Sequence, residues 1–323
     1  MAKTNGGGLA LGIDLGGTKI LAGAVDASNR ILGRGKVKTP FADGTDAIGA
    51  ALVSACDLAL EEAGAARADV SSFAIAAPGA VDTIKGTLLK AGNLDVSNWP
   101  VVKTVGAAFP GAAGRIENDA RLAAFGEARL GAGRGSTLMV AVWVGTGVGG
   151  AVIMNGKIHT GHNRNAGEIG QTQVDFRRAR PGKIDGTLEG IAAKVGIAAY
   201  LKRRIDRGDR TELEKAVSKK DVRLKGSQLR DAWEEGDELA RRAIARSARA
   251  VGISMANVWN ILSPDVFVLG GGVATDVGPA YLEEVRKWAD AFAFTQDLGR
   301  VRVEAAALGD DSGLLGAALY SRD

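Results

Sequence analysis

Two short glycine runs hold the residues best suited to gripping phosphate. The first is Asp14-Leu15-Gly16-Gly17-Thr18-Lys19, which follows the apolar run Leu9-Ala10-Leu11-Gly12-Ile13. The second is Gly145-Thr146-Gly147-Val148-Gly149-Gly150, which follows Leu138-Met139-Val140-Ala141-Val142-Trp143-Val144. After each, a β-like run resumes at once, from Ile20 to Val25 and from Ala151 to Met154. A strand, a glycine turn and a returning strand expose backbone N–H groups with no side chain in the way. Such a concavity binds anions, phosphate above all. Two of them predict a duplicated fold with a phosphate chain gripped between its halves. For either turn alone, the plain alternative is an ordinary hairpin.

Gly145, Gly147 and Gly150 formally satisfy G-x-G-x-x-G, but a dinucleotide fingerprint needs its glycines to open a helix. Here apolar and β-branched residues run straight on into Asn155-Gly156, a hairpin signal. No G-x-x-x-x-G-K-[ST] occurs, so a P-loop is excluded.

Further residues carry usable chemistry. Glu117-Asn118-Asp119 reads as the end of a strand and the start of a helix, where Asn and Asp are also ordinary N-caps. Asn165-Ala166-Gly167-Glu168-Ile169-Gly170-Gln171, with Glu189 beyond it, offers carboxylates and amides in turn-rich sequence. That set suits the hydroxyls of a sugar, although either acid alone is equally a solvated loop residue. Gly270-Gly271-Gly272 follows a strand and would let the backbone approach a ligand closely, or would simply be a flexible loop. Gly309-Asp310-Asp311-Ser312-Gly313 opens the final helix with acids, as caps commonly do.

The elements that must position these residues follow from the pattern. A long helix is predicted from Asp46 to Ala63, closed by Gly64, and a buried strand from Ser72 to Ala77, stopped by Pro78-Gly79. Thr83 to Pro100, which holds Asn93 and Trp99, reads as a turn-rich loop over a site. Arg115-Ile116-Glu117 is a short strand before a helix from Ala120 to Leu130. In the second half, helices are predicted from Leu188 to Leu201, Asp237 to Leu262 and Pro279 to Phe292, with a last helix from Ser312. Strands are predicted at Asp265 to Leu269 and Val301 to Ala306. This alternation argues for an α/β fold of two related lobes.

At 323 residues with 46% apolar content, the chain can bury a substantial core in two medium domains. No apolar stretch approaches the length of a membrane span, and Met1 to Gly8 lacks the apolar core of a signal peptide. The single cysteine, Cys56, lies in the apolar-periodic segment Ala47 to Leu60 and reads as a small buried hydrophobe. A cytoplasmic protein is expected. The net charge of +4 is modest, and Lys215 to Arg230 mixes charged and apolar residues without aromatic interleaving, so no nucleic-acid partner is expected.

The ordered set of motifs resembles the ROK family of sugar kinases. It comprises Asp14 to Lys19, Pro78-Gly79-Ala80-Val81-Asp82, Asn93-Leu94 with Trp99, Glu117-Asn118-Asp119-Ala120, Gly145 to Gly150, Ala166 to Gly170, Leu269 to Gly272 and Leu308 to Asp311. The match runs from about Gly12 to Ala318. The resemblance implies a two-lobed actin-like, ribonuclease-H-like ATPase fold with sugar and ATP in the interdomain cleft. It divides the chain into a smaller lobe, residues 1–117 with 312–323, and a larger one, residues 118–311. It also implies Asp119 as the general base and Asn118, Glu168, Gln171 and Glu189 around the sugar, with Gly79 and Asn93 contributing. Asp14 would act through Mg²⁺. Gly16, Gly17, Thr18, Lys19, Gly145, Thr146 and Gly147 would hold the phosphates, and Gly271 and Gly272 would lie beside the adenosine. A homodimer is common in the family.

One departure bears on the substrate. Many members follow the Glu-x-Gly stretch with a histidine and a zinc-binding cysteine cluster. Here Gln171 stands at the histidine position, Thr187 at that of the last cysteine, and Asp175 to Glu189 holds no cysteine. No structural zinc is expected, since a site of one His and three Cys cannot be assembled. His159 and His162 read as loop residues. Glucose is the default substrate, with other hexoses or an N-acetylhexosamine compatible. Polyphosphate stays open as a donor, and a sugar-binding protein without turnover is the alternative to an enzyme. The family's repressors carry a helix-turn-helix domain ahead of the first motif, and none is expected before Asp14.

Overall fold

The computed structural model describes residues 8–91, 94–218, 224–294 and 299–323. Its chain contacts separate into two compact units: one runs up to Gly131 and is completed by Leu308–Asp323, and the other spans Ala132–Ala307.

The first unit begins with β1 (Leu9–Leu15), β2 (Lys19–Val25) and β3 (Ile31–Lys38). β2 runs antiparallel to both of its neighbours. Next come α1 (Gly44–Ala63), β4 (Val70–Ala77), β5 (Ala80–Asp82), β6 (Thr87–Ala91), β7 (Leu94–Trp99), α2 (Val101–Gly106), β8 (Ala113–Asn118) and α3 (Asp119–Leu130). The five-stranded sheet has the order β3-β2-β1-β4-β8, with β1, β4 and β8 parallel. Side chains on β1 alternate between two apolar layers. Leu11 and Ile13 pack with Leu52 and Cys56 of α1, while Ala10 packs with Leu315 and Ala318 of the chain's final helix. Cys56 is fully buried, and that burial pushes its thiol pKa up, which suits a packing residue and not a nucleophile.

The second unit repeats the plan. It comprises β9 (Leu138–Val144), β10 (Val148–Met154), β11 (Lys157–Ile158), α4 (Leu188–Ala192), α5 (Lys194–Ile205), α6 (Glu214–Val217), α7 (Gly226–Glu234) and α8 (Glu238–Leu262). After these come β12 (Val266–Gly270), α9 (Gly272–Val277), α10 (Pro279–Phe292) and β13 (Val303–Ala305), before α11 (Ser312–Arg322) closes the first unit. The sheet order β11-β10-β9-β12-β13 again places an antiparallel hairpin beside two parallel strands. Val140, Val142 and Val144 of β9 share a core with Val251 of α8 and Val285 of α10. The Asn155-Gly156 turn has positive φ at both residues, 51° and 70°, as a two-residue hairpin turn requires.

Three expectations differ from what is observed. Thr83 to Pro100 is not a loop: β5, β6 and β7 form a three-stranded antiparallel sheet, turned at Asp82, whose carboxylate accepts from the N–H groups of Ile84 and Lys85. Asn93, expected near the sugar, lies outside the described residues. The helix from Leu188 to Leu201 is two helices, because Ala193 is extended at φ −66° and ψ 165°. That break lets the Lys194 N–H donate to the Gly145 carbonyl at 3.0 Å. Finally, the units divide after Gly131 and after Ala307, and not at 117/118 and 311/312, so α3 belongs with the first sheet. Among the described residues, no helix is long and apolar enough to cross a membrane.

Candidate active site

In the first unit, β1, β4 and β8 end side by side, so their carboxyl ends form an edge of the kind that receives ligands in α/β sheets. Asp14 is opposite Ala76, and Asn118 is opposite Ala77. Asn118 is the N-cap of α3, accepting from the Arg121 N–H at 3.3 Å, and its amide donates to the Gly79 carbonyl at 3.3 Å. Beneath this turn, buried Glu117 accepts from the Asn118 N–H at 2.8 Å and from the Arg121 guanidinium at 3.2 Å. The cap reading and the ligand reading of Asn118 are therefore compatible, since one face of its amide anchors the helix. Asp119 follows as the first helical residue and accepts from the Ala120 N–H at 2.7 Å.

Asp14 is half-buried beside other carboxylates, and its pKa is raised to about 6. Burial is the largest cause, the charge of Asp119 comes next, Lys19 opposes both, and Asp310 adds a further rise. This surplus of negative charge fits a cation bound with a polyphosphate. Among the described residues, however, no three His, Cys, Asp or Glu side chains converge on one point. A Mg²⁺ ion here would draw its ligands chiefly from phosphate oxygens and water, with Asp14 and Asp310 acting from its surroundings. In the first glycine turn, the Gly16 N–H donates to the Lys19 carbonyl at 3.1 Å and Thr39 Oγ1 donates to the Gly16 carbonyl at 2.8 Å. Thr18 and Lys19 are left exposed.

In the second unit, the turn between β9 and β10 closes through the Gly145 N–H on the Gly147 carbonyl at 2.8 Å, with Thr146 exposed at its tip. Glu189, in the first turn of α4, accepts from the Val148 N–H at 2.9 Å through one oxygen. Its other oxygen meets the Gln171 amide at 3.5 Å. A Cβ on Gly147 would stand 2.5 Å from that first oxygen, so a side chain there would push the Glu189 carboxylate away from the turn. Glu168 is exposed, and its carbonyl accepts from the Gln171 N–H at 3.1 Å. Thus Gln171 and Glu189 meet directly, while Glu168 lies one turn of backbone from Gln171.

Gly271 has φ 86°, and a Cβ there would stand 2.6 Å from the Val144 backbone. Gly272 then opens α9 near Gly145 and beside Lys194 Nζ and the Asp276 carboxylate. A cavity of about 480 Å³ lies here, lined by Thr146, Lys194, Lys225, Gly226, Ser227 and Asp276, with Val195 and Leu224. Of these only Thr146 was marked by its motif. Lys194 and Asp276 had no signal in the sequence beyond being charged residues near helix starts.

The segment that lacks the cysteine cluster is ordered by its own backbone. Gln173 and Thr187 form a β-bridge, the Gly186 carbonyl accepts from Val174 and Asp175, and the Leu188 N–H donates to Thr172 at 2.9 Å. Thr187 also caps α4, accepting from the Gly190 N–H at 3.0 Å, so the residue at the last cysteine position helps place Glu189.

Two copies of the same five-stranded plan, each with a glycine turn at its first hairpin, define an actin-like, ribonuclease-H-like α/β fold. The chain belongs to the ROK family, whose model matches residues 10–323. It is 32% identical to a glucokinase of Streptomyces coelicolor over 98% of both chains. It is 29% identical to an N-acetyl-D-glucosamine kinase of Salmonella newport, over 95% of this chain and 97% of the relative. Among solved structures, a ROK glucokinase of Streptomyces griseus in complex with glucose and AMPPNP superposes with a TM-score of 0.80 at 32% identity, covering 98% of this chain and 99% of that one.

Proposed function

We propose that the chain is an ATP-dependent sugar kinase that transfers the γ-phosphoryl group to a hydroxyl of a hexose, with Asp119 as general base. The observation that carries this reading is Glu189. A single carboxylate braces the second glycine turn through Val148 and meets the Gln171 amide, so the phosphate-facing turn and the sugar-facing cluster share one side chain. The similarity to glucokinases along nearly the whole chain supports the same activity.

Phosphoryl transfer needs positioning and charge stabilisation more than covalent chemistry from the protein. In this reading the turn residues Gly145, Thr146 and Gly147, with Lys194, hold the phosphate chain, and Gly16 to Lys19 contribute from the first turn. The nucleoside occupies the cavity bounded by Lys225, Ser227 and Asp276, with Gly271 and Gly272 at its side. Asn118, Glu168, Gln171 and Glu189 take the sugar hydroxyls, and the Gly79 carbonyl fixes the Asn118 amide. Asp119 accepts the proton of the attacking hydroxyl. Bound Mg²⁺ would neutralise charge on the phosphate oxygens, near Asp14.

Glucose is the proposed substrate, and an N-acetylhexosamine is the second, favoured by the similarity to an N-acetylglucosamine kinase. ADP release with ATP and Mg²⁺ across hexoses and N-acetylhexosamines, with polyphosphate as a parallel donor, tests the reading. Sugar-dependent turnover with ATP is expected. Clear sugar binding without turnover on any donor would make the chain a sugar-binding protein.

A further inference from the structure

The stripe Arg246, Arg249, Ala250 and Ile253 on α8 has helical spacing that ordinarily faces a core, yet it places two guanidinium groups beside a cavity of about 290 Å³. Val174 and Asp175 of the cysteine-free segment and Ile191 of α4 complete the walls. Arg249 lies 4.2 Å from the centre of the Trp288 ring and Arg246 lies 5.4 Å from that of Tyr200, so both planar groups are held by aromatic faces. Arg178 and Arg203 stand close enough to Arg246 to depress its proton affinity, after burial as the larger cause. The acids nearby are Asp175 on the cavity wall, Asp185, which is 3.9 Å from Arg178, and Glu284, which accepts from the indole N–H of Trp288 at 2.7 Å. Two arginines and one aspartate thus line the cavity itself, with Arg178 and Arg203 as further cationic neighbours of Arg246.

We propose that this cavity is a binding site for a phosphate-bearing small anion, distinct from the glycine turns. Guanidinium groups held by aromatic rings beside a cavity offer the fork geometry that phosphate and its monoesters accept. The apolar residues Val174, Ile191 and Ile253 are placed for the organic part of an ester. Occupancy reaches Glu189 by a short route. The Arg246 guanidinium donates to the Ile191 carbonyl at 3.4 Å, and Ser247 donates to the Ala192 carbonyl at 2.7 Å, so α8 holds the end of the five-residue helix that carries Glu189. An anion that recruits Arg246 loosens that hold. Its expected effect on sugar affinity rests on the sugar-kinase reading; anion binding itself does not.

Calorimetry with inorganic phosphate and with glycerol 3-phosphate tests the site, at matched ionic strength and with AMPPNP and Mg²⁺ saturating the nucleotide site. One anion per chain is expected, weakened about tenfold or more by Arg246→Ala and by Arg203→Ala. The second variant removes charge from a helix surface without touching Ile191. Tighter binding of the ester identifies an ester as the ligand, and equal binding identifies free phosphate. Heat that is absent for both anions, or unchanged in both variants, overturns the site. By reciprocity, saturating anion is expected to raise the sugar Kd several-fold, and an unchanged sugar Kd overturns the link to Glu189.

Discussion

The two glycine turns are one device built twice, and they differ in what braces them. The first is held by Thr39, whose hydroxyl and N–H meet Gly16 and Thr18, and a half-buried carboxylate, Asp14, stands near the end of the strand before it. At the equivalent place before Gly145 stands Trp143, and the carboxylate that matters, Glu189, arrives from a helix and bonds the turn itself. One turn therefore stands beside an acid whose pKa is raised, with Lys19 only partly offsetting burial and the neighbouring carboxylates. The other uses its acid to fix the turn and to meet Gln171. The strand-turn-strand frame occurs twice, and what differs is the residue that stands next to each turn.

Four substitutions break or sharpen that contrast, taken from the largest expected effect. Asp119→Asn is expected to lower kcat by about a hundred- to ten-thousandfold, the range of general-base losses, while sugar binding measured by calorimetry stays within a few-fold. Equal loss of binding and rate would make Asp119 structural. Glu189→Ala removes the acceptor of the Val148 N–H and the partner of Gln171 together. Steady-state kinetics are expected to show weaker use of both sugar and ATP, by about ten- to a hundredfold. An effect on sugar alone would mean that the turn does not depend on its brace.

Asp14→Asn should separate stability from activity. The carboxyl pKa is raised from its ordinary 3.8 to about 6, so folding favours the protonated form. The stability this group contributes is present below pH 3.8 and is lost as pH rises through about 6. Thermal melts without ligand are expected to show the variant a few °C above the parent at pH 7.5, about 1–3 kcal/mol, with the gap closing toward pH 4. A variant that melts lower at pH 7.5 would show that Asp14 is already compensated by the fold. The smallest effect is assigned to Gln171→His, which keeps a donor and an acceptor near Glu189. A changed ranking of sugars in competition binding is expected, and an unchanged ranking would place Gln171 outside the sugar site.

Much of this was legible in the chain itself. The hairpins were readable because glycine runs sit between β-branched runs, and α10 because Pro279 opens it. The Thr83 to Pro100 sheet was not, because its strands are short and its turn residues dominate the composition. The break at Ala193 has no local signal: the Lys194 N–H is drawn off by the Gly145 carbonyl, a tertiary bond that overrides helix propensity. Asp310 read as an ordinary cap until folding brought it near Asp14. Lys194 and Asp276 became visible only when the cavity assembled around Gly272.

The central claim is phosphoryl transfer from ATP to a sugar hydroxyl, and phosphorus NMR of the protein with ATP, Mg²⁺ and glucose tests it most directly. A sugar phosphate ester resonance is expected to grow in step with ADP and to be absent for Asp119→Asn. ADP growing with inorganic phosphate and no ester, for glucose and for N-acetylglucosamine alike, would contradict that claim.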